Sequence, residues 1–315
     1  MLGEAMPHNV ASGFGSFPPP PPGSRLADVQ AKMINPAAHI EDMDRLGIDI
    51  EVASASTVIA GGEWAEPALD LDLNRRLNDA HAEAQRAFPQ RIVGSFTLPL
   101  QDIELALGEL ERAVDELDLR VANLPANVKG VYMGARSLWP IWEALHDRHI
   151  VVFLHPHGVT DPWYLEYGLW NSVGQAVEEA KALSSIIYEG LLDRFGDLKL
   201  VISHGGGYLP HYYGRHDRNV ENMPDSARHI SRRPSSYLRD LYYDTCVYAP
   251  EVLAALVDRV GADRLVMGSD YPVGDPDPIG FIDRCERLSP EQARQVKGET
   301  AASLLMSPTH ATAAG

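Results

Sequence analysis

The stretch Val151-Val152-Phe153-Leu154-His155-Pro156-His157-Gly158 decides how the rest of this 315-residue chain is read. A short apolar run with β-branched residues stops abruptly at histidine, proline and glycine. Such a run reads as a buried strand of a parallel sheet, and the break marks its carboxyl end. Side chains at that end point into the crevice where α/β proteins keep their chemistry. The design recurs twice. Lys199-Leu200-Val201-Ile202-Ser203-His204 runs into Gly205-Gly206-Gly207, and Arg264-Leu265-Val266-Met267-Gly268 runs into Ser269-Asp270-Tyr271-Pro272. Three strand ends therefore deliver His155, His204 and Asp270, a set suited to a divalent metal and a proton-transfer group.

Working outward, strands and helices alternate. Helical patterns cover 37–46 (stopped by Gly47), 71–88, 103–117, 138–149, 173–195 and 250–260, and a last helix opens at Ser289-Pro290. Strand patterns cover 48–56, 92–97, 120–123, 240–245 and 265–268, besides those ending at His155 and His204. The segment between 205 and 239 reads as a polar, Tyr-rich loop. Alternation of this kind predicts α/β architecture with a parallel sheet and helical crossovers, and the length allows two average domains or one large α/β barrel. The count reaches only seven strand–helix units where a closed barrel needs eight. The deficit lies at the N-terminus, so the first strand is expected to be missing. Residues 1–34, with the run Pro18 to Pro22, read as a Pro/Gly-rich irregular segment, 35–306 as the barrel domain and 307–315 as a disordered tail.

Composition excludes several classes. With 27 Lys and Arg against 44 Asp and Glu, the net charge of −17 disfavours nucleic acid as a partner. No run of 18 apolar residues suggests a membrane span, and the N-terminus lacks the layout of a signal peptide. Two cysteines, Cys246 and Cys285, give no disulfide framework and fit a reducing cytoplasm. An apolar share of 45% is enough for a large core.

Each candidate residue has two readings on its own. His155 either ligates a metal through one imidazole nitrogen or bonds a neighbouring carbonyl in the core. His157, beyond Pro156, reads as a rim residue. His204 with its three glycines is similar to the oxyanion segment of lipases, but no Gly-x-Ser-x-Gly occurs, so an acid/base role beside a metal is the better reading. Asp270 serves as metal ligand and catalytic carboxylate, or merely as a turn former. Arg215 either grips a substrate carboxylate or makes a surface ion pair. His211, His216 and His229 have no metal-ligand spacing, and Cys246 reads as packing. The joint placement of His155, His204 and Asp270 at strand ends is what favours chemistry.

The motifs Phe153-Leu154-His155-Pro156, Ser203-His204-Gly205-Gly206-Gly207 with Gly214-Arg215, Tyr242-Tyr243-Asp244-Thr245 and Gly268-Ser269-Asp270-Tyr271-Pro272 together resemble those of a known family. These are the amidohydrolase-related decarboxylases (amidohydrolase 2) of the 2-amino-3-carboxymuconate 6-semialdehyde type, and the resemblance spans roughly 35–305. It implies a (β/α)8 barrel of the metal-dependent hydrolase type holding a divalent metal, usually zinc. It also implies decarboxylation of a small carboxylated, aromatic-derived compound; hydrolysis or hydration on the same barrel is the alternative. By position His155 and Asp270 would be metal ligands, His204 the acid/base group, and Arg215 a substrate-carboxylate residue reaching a neighbouring subunit, hence a homodimer. The family's first strand ends in His-x-His or Glu-x-His, which is absent here, as is a secure match to its second substrate arginine; Arg25 is displaced. Either translation starts upstream of Met1 or the motif is lost, in which case an inactive relative is the competing reading.

Overall fold

The computed structural model describes residues 21–157, 159 and 161–305. Seven strands form one parallel sheet in strictly sequential order. They are β1 (Glu51–Ala53), β2 (Ile92–Phe96), β3 (Val121–Leu124), β4 (Val151–Leu154), β5 (Leu200–Ile202), β6 (Tyr242–Asp244) and β7 (Leu265–Val266). Every neighbouring pair is parallel, with register partners such as Val121 with Val151 and Leu154 with Ile202. Helices fill the crossovers, so the sheet curls in the manner of a TIM barrel. Among the described residues β1 and β7 are the two ends of the sheet, and the count of seven agrees with the sequence.

Burial on both faces explains why the strands read as apolar runs instead of alternating ones. Val121, Val151, Val201 and Val266 form one small cluster with Leu304. Their strand neighbours Ala122, Val152, Leu154, Leu200 and Ile202 belong to the large core beneath the helices. Alternate residues thus face the barrel interior and the helical layer. The final helix, Thr300–Leu305, brings Leu304 to the amino end of the strands, where Lys199 Nζ donates to the Leu304 carbonyl at 3.0 Å. Trp142 is fully buried, and its indole N–H donates to the Met133 carbonyl at 2.7 Å.

Several boundaries differ from the sequence reading for identifiable reasons. Residues 25–32, expected to be irregular, form a helix, Arg25–Lys32. Ser24 caps it, its side chain accepting from the Ala27 N–H, and Lys32 pairs with Asp28 one turn back. Residues 1–20 and the expected tail from 307 lie outside the described residues. The strand expected over 48–56 shrinks to β1 because Thr57–Ala60 turns helical. The helix expected over 173–195 is split at Gly190, which adopts φ 78° and separates Gln175–Tyr188 from Leu191–Arg194. The expected loop after His204 holds helices Leu209–Tyr212 and Gly214–Asn222. Helix Pro250–Val260 and the Ser289 cap, a full capping box with Gln292, are as the sequence indicates.

Candidate metal centre and the cavity beside it

The carboxyl ends of β4, β5 and β7 bring His155, His204 and Asp270 together. One ligand atom from each lies within 4.8 Å of the others. The two imidazoles meet edge to face with centroids 5.0 Å apart.

His155 directly follows β4, and its backbone N–H donates to the Leu124 carbonyl at 2.9 Å, which continues the sheet register. Its ring Nδ1 lies 2.7 Å from the Pro156 carbonyl and 3.1 Å from Thr57 Oγ1. A carbonyl can only accept, so Nδ1 carries the hydrogen and Nε2 keeps its lone pair. Burial, then the charge of His204, pushes His155 down to about 3, so it stays neutral, the form that ligates a metal.

His204 is held differently. Residues 204–207 all adopt positive φ, from 48° at His204 to 81° at Gly206. At Gly207 a Cβ would sit 2.3 Å from the Ala176 carbonyl and 2.8 Å from Glu179 Oε2, so glycine lets helix Gln175–Tyr188 come close. That approach delivers Glu179, fully buried, whose Oε1 lies 2.6 Å from His204 Nδ1 and accepts from Ser203 Oγ at 2.5 Å. Burial opposes charge on the His204 ring, but the Glu179 carboxylate outweighs it and raises the imidazole to about 9. Asp244 anchors the glycine turn by accepting from the Gly205 N–H at 3.1 Å and the Cys246 N–H at 3.0 Å. His204 is therefore oriented through Nδ1, with Nε2 available to a reacting group.

Asp270 adopts φ 52° in the turn after β7, and Tyr248 donates to its Oδ2 at 3.2 Å. Burial raises its carboxyl above the ordinary value. The imidazole of His155 and the carboxylate of Asp270 are donors that fit a divalent ion, and His155 is already in the ligand tautomer; His204 stands beside them.

Other candidates stand apart. Arg215 is exposed on helix Gly214–Asn222 and makes no hydrogen bond or ion pair among the described residues. His211, His216 and His229 do not join the metal-suited group. Cys246 is buried, as packing requires. His157 is more than a rim residue: its Nε2 lies 2.8 Å from Glu63 Oε1, while its Nδ1 is buried without a partner.

Next to the histidines lies a cavity lined by residues that follow four strands. Thr57 and Glu63 come from beyond β1, Thr97 from beyond β2, Asn123 from β3 and His157 from beyond β4, with Asp70 and Asn74 from helix Pro67–Ala87. Asp70 accepts from Asn74 and from Gln101, and burial pushes its carboxyl up to about 6.

Sequence reasoning missed Glu179, Thr57, Glu63 and Asn123. Glu178-Glu179 in a helix that otherwise packs Ala182, Leu183, Ile186 and Ile187 inward was the one signal for the first of these. The others depend on contacts between distant segments.

Comparison with known proteins follows this geometry. The family profile described as "Amidohydrolase" matches residues 17–306. A 2-amino-3-carboxymuconate-6-semialdehyde decarboxylase of Dictyostelium discoideum is 30% identical over 287 residues, covering 90% of this chain and 80% of the relative. A gamma-resorcylate decarboxylase of Polaromonas is 28% identical, covering 79% and 78%. Among solved structures, a 5-carboxyvanillate decarboxylase of Novosphingobium aromaticivorans with bound manganese superposes with a TM-score of 0.83 at 23% identity, covering 93% and 87%.

Proposed function

The chain belongs to the amidohydrolase family, and on that premise we propose that it is a metal-dependent decarboxylase of a small aromatic carboxylate. The observation that carries this reading is the convergence of His155, His204 and Asp270 within 4.8 Å, with His204 Nδ1 tied to a buried carboxylate. In the reaction the bond between the ring and its carboxylate breaks, carbon dioxide leaves, and a proton takes its place on the carbon. His155 through Nε2 and Asp270 through its carboxylate would hold the ion. The ion supplies Lewis-acid polarisation of substrate oxygens when bound. His204 holds the proton at Nε2 and delivers it to the carbon, while Glu179 stabilises the charged imidazole and fixes its orientation. Val201, Phe153 and Tyr242 belong to the apolar cluster of the barrel interior.

Zinc is the ion we assign, since the imidazole of His155 and the carboxylate of Asp270 suit it. Elemental analysis of the purified protein checks this, and manganese in its place would overturn the assignment. The free, buried Cys246 and Cys285 fit a reducing, cytoplasmic setting. Arg215 is assigned to the substrate carboxylate of a neighbouring subunit in a homodimer; its exposure, with no hydrogen-bond or ion-pair partner among the described residues, supports that role. Mixing inactive Arg215→Ala and His204→Ala chains should then restore activity, because one site per heterodimer keeps both residues. No recovery in a preparation containing heterodimers would remove Arg215 from the site.

The reaction class is tested by turnover of hydroxybenzoates in D2O. Decarboxylation gives carbon dioxide and product in equal amounts, with one deuterium on the ring carbon that bore the carboxylate. Consumption of a substrate by addition of water, with no carbon dioxide, would identify a hydratase or hydrolase instead.

A further inference from the structure

Buried polar atoms in folded proteins almost always have a partner, and each exception calls for an explanation. Three such exceptions among the described residues are Thr97 Oγ1, Asn123 Oδ1 and His157 Nδ1. They come from three different strands or the turns after them, and all three residues line the same cavity beside the metal-suited cluster. The convergence of orphaned groups from β2, β3 and β4 is what a ligand subsite requires.

Their chemistry gives the cavity a sign. The side-chain amides at the wall already donate within the protein: Asn123 Nδ2 to the Ala55 carbonyl at 2.6 Å, and Asn74 Nδ2 to Asp70 at 2.8 Å. Glu63 Oε1 lies 2.8 Å from His157 Nε2, which holds that ring at the cavity wall. Asn123 Oδ1, an amide oxygen, can only accept. The lining carries two acids, Glu63 and Asp70, and neither lysine nor arginine. What remains unpaired therefore includes a fixed acceptor and is set in a negative field.

We infer that this cavity is the subsite for the non-reacting edge of the substrate, and that it selects ring hydroxyl or amino groups over a second carboxylate. The inference rests on the decarboxylase reading for its substrate but on Thr97, Asn123 and the acids Glu63 and Asp70 for its selectivity. A hydroxyl or amino hydrogen entering the cavity meets Asn123 Oδ1, and Thr97 Oγ1 adapts to either direction. A carboxylate there faces the acids Glu63 and Asp70 with no lysine or arginine in the lining to offset its charge. A buried acceptor left without a partner penalises a ring that has no donor to offer, which is how such a site discriminates.

Calorimetry on the metal-loaded full-length protein tests this with resorcinol, 1,3-dimethoxybenzene and isophthalate. The first two have the same ring, but only resorcinol can donate. Resorcinol should bind about tenfold more tightly than 1,3-dimethoxybenzene, as one or two well-made hydrogen bonds allow, and isophthalate should not compete with it. Thr97→Val, nearly isosteric, should weaken resorcinol about threefold to tenfold and leave 1,3-dimethoxybenzene unchanged. Asn123→Leu should do the same, with folding checked by its melting curve. Equal binding of the two rings, isophthalate binding as tightly as resorcinol, or a resorcinol preference that survives Thr97→Val would each overturn the inference. Release of carbon dioxide plays no part in this measurement. A resorcinol preference in a protein that decarboxylates no hydroxybenzoate would sink the decarboxylase reading alone. Carbon dioxide release with equal binding of the two rings would sink the subsite alone.

Discussion

The two walls of the crevice differ in how their inward-facing groups are held. On the β4–β5–β7 side, His155 Nδ1 is tied to the Pro156 carbonyl, His204 Nδ1 to Glu179 and Asp270 to Tyr248. On the β1–β3 side, Thr97 and Asn123 keep buried atoms unpaired, as does His157 at the boundary between the walls. A side chain tied at one end has its other end aimed, which suits groups that must act in a fixed geometry. Unpaired polar atoms instead leave part of their hydrogen bonding to be completed by an incoming molecule. The first wall is suited to chemistry and the second to choosing the substrate.

The sharpest way to break this division is to remove the aimed group. His204→Ala should lower turnover about 10²–10⁴-fold, the range for a lost general acid or base. Bound metal, measured by elemental analysis, should stay close to that of the parent protein, whereas His155→Ala should lose most of it. Loss of metal in His204→Ala as complete as in His155→Ala would make His204 a ligand and end its separate role.

Much of the first wall was legible because strand ends are marked in sequence. His155, His204 and Asp270 each follow an apolar run that breaks at Pro, Gly or Ser, and the sheet placed all three at one end. The seven-strand count survived for the same reason. Glu179 was hidden because a glutamate in a long helix ordinarily faces water, and only the close approach at Gly207 turns it inward. The helix Arg25–Lys32 was hidden by the prolines and glycines around it, although Ser24 and the Asp28–Lys32 pair are ordinary helix signals. The second wall was illegible in principle. Asn123 lies in a strand 68 residues from the Ala55 carbonyl it bonds, and Thr57 reaches His155 across 98 residues. No local pattern records such pairs.

A smaller effect is expected from the partner of His204. Glu179→Gln keeps the shape and removes the charge, so turnover should fall about 10–100-fold, the usual cost of losing an orienting partner. It should also change the response to pH. The folded pKa of His204 is raised to about 9 from 6.5, so its pairing stabilises the metal-free protein fully below about pH 6.5. That contribution is lost as pH rises through about 9. Melting temperatures of the metal-free protein should therefore fall between pH 6.5 and 9, and this slope should flatten in Glu179→Gln. An unchanged slope would mean that the pair does not titrate in that window.

The smallest expected effect lies behind the first wall, where Tyr271 follows Asp270. Its hydroxyl donates to Asp42 Oδ2 at 2.7 Å, and its ring meets His39 edge to face with centroids 4.8 Å apart. His39 Nδ1 in turn lies 2.7 Å from Glu51, the first residue of β1. Tyr271 thus joins the turn after β7 to helix Pro36–Leu46 and, through it, to the opposite end of the sheet. Asp42 keeps Lys32 at 2.7 Å and Arg45 at 2.8 Å when the hydroxyl is removed, so its charge is never left bare. Tyr271→Phe should accordingly cost only about 1 kcal/mol of stability in urea unfolding, the worth of one partly buried hydrogen bond. Metal content should not change, because Asp270 keeps its own bond from Tyr248. If metal is lost along with the hydroxyl, the tie to Asp42 also aims Asp270, and the fixed wall extends across to helix Pro36–Leu46.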